Sequence, residues 1–185
     1  MNWRRIVAMV TLLAPGVATA AEIDDFFGEW RGVELSIDGS ENLPALAPAD
    51  LDMAIADHGE GFRIEAVALA RDAEGDLEPR RFEAAFAPTG TPGVFAFEPG
   101  GGSLLSSLFA DPAEGNPLKG DTLLWARLVD DTLHVYSLAI DDQGGFALEH
   151  SSGRVTPTGM DMRYLLRFEN ERIVTIEGHL ARAGD

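Results

Sequence analysis

The chain has 185 residues, no cysteine and a formal charge of −17, from 14 Lys and Arg against 31 Asp and Glu. The missing cysteines exclude disulfides, a thiol nucleophile, an iron–sulfur cluster and a thiolate zinc site. The acidic balance argues against nucleic acid or an anionic membrane surface as partner, and for solubility, cations or basic partners. In chain order, the first feature is Met1-Asn-Trp-Arg-Arg5 followed by a short apolar run ending in Ala18-Thr19-Ala20. A basic start, an apolar middle and small residues at the A-x-A positions predict a signal peptide over 1–20, cleaved near Ala20. The run is too short to span a bilayer, and no cysteine follows it for lipid attachment, so no stable membrane anchor is expected. Residues 21–185 then form the mature domain. Without Arg4 and Arg5 it holds 12 basic against 31 acidic residues, a charge of −19.

From Glu29 onward the apolar pattern has period two, broken at short intervals by Gly, Pro, Asn and Asp. That predicts antiparallel strands joined by tight turns. The runs are 30–37, 51–56, 62–70, 81–87, 94–98, 122–129, 133–140, 146–151, 160–168 and 172–182. A helix over 48–56 competes with the second run, because Ala and Leu favour it. Phe62, Ile64, Ala66 and Ala68 share one face against Arg63 and Glu65. Met160, Met162, Tyr164, Leu166 and Phe168 share another against Asp161, Arg163 and Arg167. The stretch 99–120 is the longest irregular one, and its Ser103–Phe109 portion predicts one or two helical turns with Ser103 as N-cap. No linker or repeat divides the chain. The expected fold is all-β: a single antiparallel up-and-down barrel of about eight to ten strands, with a β-sandwich as the rival arrangement.

The run Phe26-Phe27-Gly28-Glu29-Trp30-Arg31-Gly32 carries a resemblance. Gly28-x-Trp30 at the head of the first strand resembles the signature of lipocalins and related calycins. It is also similar to the first strand of fatty-acid-binding-like and nitrobindin-like barrels. The resemblance implies a Trp30 that plugs the closed end and an arginine of the last strand packed over it, Arg182 first and Arg172 behind. It also implies an interior that holds a small apolar or amphipathic ligand.

The four histidines, His58, His134, His150 and His179, show no metal-ligand spacing. Gly178-His179-Leu180 resembles the haem-ligating His-Leu of the nitrobindin-like last strand, but the alternation turns His179 outward, and no cofactor is expected. Residues 72–78 partly match a calcium loop, yet Leu77 stands where its glycine belongs and no helices are predicted around it. No nucleophile elbow or phosphate loop is present. Phe62, Phe82, Phe86, Met160, Met162, Tyr164 and Phe168 lie on apolar faces of separate strands, where they either line a cavity or fill the barrel. The expected function is an exported, periplasmic or secreted barrel binding a small hydrophobic ligand without catalysis. The alternative is a filled barrel that docks an envelope protein. An enzyme would need polar residues converging inside, with Tyr164, His150 and Asp161 the candidates.

Overall fold

The computed structural model describes residues 22–38, 51–71, 77–98, 116–140, 143–168 and 173–184. A 3-10 turn, Ile23–Phe26, leads into ten strands: β1 (Gly28–Asp38), β2 (Leu51–His58), β3 (Gly61–Arg71), β4 (Leu77–Pro88), β5 (Val94–Phe97), β6 (Leu123–Val129), β7 (Thr132–Ile140), β8 (Phe146–Thr156), β9 (Gly159–Phe168) and β10 (Ile173–Arg182). Each strand pairs antiparallel with its chain neighbours, and β1 pairs with β10, so the sheet closes into an up-and-down barrel. Closure leaves no edge strand to recruit a foreign chain.

Residues 51–58 are a strand, not a helix. Leu51, Met53 and Ile55 register against Ala68, Ala66 and Ile64 of β3, and this pairing outweighs the helix preference of alanine. Residues 99–115, with the helical turns expected at Ser103–Phe109, lie outside the described residues. What the structure describes of that connection is a 3-10 turn at Pro117–Lys119, capped by the Asn116 side chain accepting from the Leu118 amide.

The two ends of the barrel differ. Four tight connections, the start of β1 and the end of β10 lie at one end, the base. Gly59-Glu60 joins β2 to β3, and Asp130-Asp131 joins β6 to β7. Pro157-Thr158 joins β8 to β9. Asp130 takes φ 55°, the only positive φ of a non-glycine among the described residues, at a turn position that aspartate tolerates. The other five connections leave from the opposite end, the mouth.

Side chains alternate in and out of the wall. Phe26, Trp30, Phe62, Phe86, Met160 and Leu180 are the largest fully buried residues and fill the base. Phe62 stacks on Phe86 with ring centroids 5.0 Å apart, and Phe95 meets Phe62 edge-on at the same distance. The Trp30 indole N–H donates to the Phe26 carbonyl at 3.0 Å. The Arg182 guanidinium lies 4.8 Å from the Trp30 ring centre and donates to the Phe27 carbonyl at 3.0 Å. Gly28, at φ +149°, passes directly under that arginine: a Cβ there would sit 3.5 Å from Arg182 Nε.

Candidate functional site: the polar half of the barrel interior

The inward face changes character between base and mouth. Cross-strand pairing aligns Ser137 with Glu149 and Glu149 with Leu166, and it aligns Val135 with Ser151 and Ser151 with Tyr164. Ser137, Leu166 and Val135 are buried, which fixes this set as the inner one. Glu149 and Tyr164 therefore project into the barrel, with Ser137 and Ser151 in register beside them.

Strand β8 inverts the usual rule. Phe146, Leu148 and His150 face outward, while Ala147, Glu149, Ser151 and Gly153 face inward. Ala139 and Ala147, beside the pair on β7 and β8, and Ala66 and Ala68 on β3 are also inward by register. Ten strands enclose a wider bore than eight, in which side chains alone or one small ligand already fill the space.

Burial pushes the Glu149 carboxyl up from the ordinary carboxylate range, and a hydrogen bond from the Tyr164 hydroxyl partly offsets the shift. Tyr164 is pushed well above the ordinary phenol range, by burial first and then by the charge of Glu149 and the hydrogen bond to it. Both shifts favour protonated forms. The pair is suited to holding hydrogen-bonding partners in an apolar surrounding.

No protein-family model matches the chain, and no curated protein is similar to it.

The residues named from sequence divide between the two halves. Phe62, Phe86 and Met160 are buried in the base, and Phe82 and Met162 pack against that core. Tyr164 belongs to the polar half. Phe168 pairs with Ala147 through its backbone, and its side chain lies outside the described set. Gly28, Trp30 and Arg182 form the base closure described above.

Glu149, Ser137 and Ser151 were not anticipated. In Phe146-Ala-Leu-Glu-His150 the larger apolar residues suggest the opposite face, so the pattern alone hides the inward carboxyl. Tyr164, His150 and Asp161 do not converge, because His150 and Asp161 face outward.

The outer wall has its own order. On β6, β7 and β8 the rings of Trp125, Tyr136 and His150 stack in sequence, with centroids 5.0 and 4.5 Å apart. His134 Nδ1 lies 2.9 Å from His150 Nε2. Burial lowers the affinity of both imidazoles for a proton. Arg127 adds to the effect at His134, and His134 and then Arg163 add to it at His150. Among the described residues, no three His, Asp or Glu side chains converge as a metal site.

His179 faces outward and is held by Asp161 at 2.8 Å and by the Thr158 carbonyl at 3.2 Å. Beside it, a groove of about 360 Å³ runs over the outside of β8, β9 and β10, lined by Ser152, Arg154, Asp161, Arg163 and Glu177 among others. Its charges are already satisfied: Arg154 pairs with Asp131 at 2.6 Å and Arg163 with Glu177 at 3.3 Å.

Proposed function

We propose that this protein is an exported, non-catalytic barrel that binds a small apolar or amphipathic ligand in the mouth-side half of its interior. The observation that carries the reading is the inverted pattern of β8, which spends an inward position on Glu149. An alanine or valine there would avoid the desolvation of a buried carboxyl. Local rules are broken mainly where function requires it. Tyr164 and the neighbouring serines give that carboxyl a polar setting within otherwise apolar walls, the composition expected of a ligand site. The signal-like residues 1–20 support a periplasmic or secreted location.

Native mass spectrometry of the mature protein, purified gently from its own envelope fraction, tests this. A discrete extra mass, lost on organic extraction, is the expected result. A clean apo mass favours a second reading, in which the outer wall docks an envelope protein. That reading draws on one feature: the outward positions of β6, β7 and β8 carry no carboxylate, although acids outnumber bases 31 to 14 in the chain. The Trp125–Tyr136–His150 ladder and Arg127 occupy them instead. A Trp125→Glu, Tyr136→Glu variant would then lose the partner that the native protein retains.

A further inference from the structure

We propose that the open end of the outer-wall ring ladder is a surface site for a free aromatic acid, whose flat ring stacks on Trp125 above Ala96 with its acidic group toward Arg127. The proposal goes beyond the interior reading and does not depend on it. It starts from the spacing of the ladder. The rings of His150 and Tyr136 have centroids 4.5 Å apart and planes 6° from parallel, and those of Tyr136 and Trp125 are 5.0 Å apart and 9° from parallel. Rings lying side by side on the sheet could not come this close, so they face one another across the strands. The repeat matches the strand spacing of about 4.8 Å, so each strand contributes one rung.

The next strand contributes none. β5 lies beside β6, and its residue opposite Trp125 is Ala96. Phe95 and Phe97 turn into the core, which leaves Ala96 pointing outward, and it is exposed. Ala87 of β4 stands opposite Ala96 in turn. Among the described residues, Tyr136 is the one ring stacked on Trp125. The other face of the indole therefore looks over a floor of two small side chains, at the position a further rung would occupy. The two ends of this shelf differ in charge. On the base side is Arg127, two residues from Trp125 and opposite Val94. It is exposed, and among the described residues it joins no ion pair. Diagonal neighbours on adjacent strands lie within reach of a long side chain, so its guanidinium can meet an acid held over Ala96. On the mouth side is Glu98, whose carboxylate lies 3.6 Å from His58. An acidic group is attracted to one end and repelled from the other, which sets the orientation of the ring. A saturated ring would lose the flat contact with the indole.

The test is a nitrogen-15 NMR titration of the mature protein at pH 7 with 2-naphthoate, its saturated decahydro analogue and neutral 2-naphthylmethanol. Trp30, sealed in the base at 2% exposure, is the internal reference for the Trp125 indole signal. 2-Naphthoate is expected to shift Trp125 with saturation on the order of a millimolar, as for a small ligand on an open surface, and to leave Trp30 in place. Naphthylmethanol should bind about threefold more weakly, as for loss of a screened ion pair, and the saturated acid should give no saturable shift. Ala96→Leu fills the missing rung and should abolish the naphthoate shift. Arg127→Gln should bring acid and alcohol to equal affinity. Both positions are exposed, so urea midpoints of the two variants should match that of the native protein. No saturable shift of Trp125, equal binding of the saturated acid, binding unchanged in Ala96→Leu, or an acid preference that survives Arg127→Gln would overturn the proposal. Naphthoate that shifts the inward Tyr164 and leaves Trp125 unmoved would overturn it as well, while supporting the interior reading.

Discussion

Replacing Trp30 with alanine removes the keystone of the base. The indole is 2% exposed, so the loss of burial and the cavity left behind should cost about 3–5 kcal/mol. Its N–H to the Phe26 carbonyl adds about 1 kcal/mol. The Arg182 contact, made by an exposed guanidinium, adds about 0.5–1 kcal/mol. The three contributions together come to about 4.5–7 kcal/mol, a large share of the about 5–15 kcal/mol that holds a domain together. Urea unfolding followed by far-ultraviolet circular dichroism and by the fluorescence of Trp125 measures the change. Trp30→Phe keeps most of the ring and should cost about 1–2 kcal/mol. A cycle combining Trp30→Leu with Arg182→Ala should return a coupling of about 0.5–1 kcal/mol. A loss below about 1 kcal/mol for the alanine variant would refute the closed-base argument, because no fully buried indole with a hydrogen bond is that dispensable.

Three further outcomes are expected. A Cβ on Gly61 would collide with the Phe86 carbonyl of the neighbouring strand, whereas one on Gly90 meets nothing within 4 Å. Gly61→Ala should therefore cost about 3 kcal/mol or more, and Gly90→Ala should be nearly neutral, both read by urea midpoints. The His134 and His150 pKa values lie below 6.5 in the fold, so the unfolded chain takes up protons first. Their contribution is complete above that pH and is lost as pH falls through the folded values, and His134→Gln, His150→Gln should flatten the stability curve between pH 7 and 5. The Glu149 pKa is raised, so its cost to the fold is absent below the ordinary glutamate range and grows as pH rises through it. Glu149→Gln should thus be more stable than the native protein at pH 7, with the difference vanishing near pH 4 in parallel thermal melts.

The strands were legible because the walls obey a two-residue rhythm almost everywhere. Met160 through Leu166 alternates cleanly, and both faces of β9 are where the alternation places them. The first strand was legible for a different reason, since Gly28 and Trp30 are unusual residues for a strand head. Strand β8 was legible only in its first half. Ser151-Ser152-Gly153-Arg154 has little intrinsic strand preference, and it is β7 and β9 on either side that extend it to Thr156. The candidate site was hidden by the same strand. Its inward carboxyl can be recognised only from register, which pairs Glu149 with the buried Ser137 and Leu166. Register depends on partners more than a hundred positions apart in the case of β1 and β10, and a local pattern holds no record of them. The histidine pair was hidden likewise: His134 and His150 are diagonal neighbours across two strands, a relation with no fixed spacing.

The pairing of the first strand with the last sets an order on assembly. Trp30 meets Arg182 across almost the whole chain, so the ring cannot be sealed until the C-terminal strand has been made and delivered. Until then β1 and β9 are open edges, each able to recruit another strand, and contacts so distant in sequence form slowly. A chain clipped before Ile173 would keep nine strands' worth of alternation and lose the property that makes them safe together. Loss of residues 173–185 should thus appear first as self-association, before any loss of β-structure.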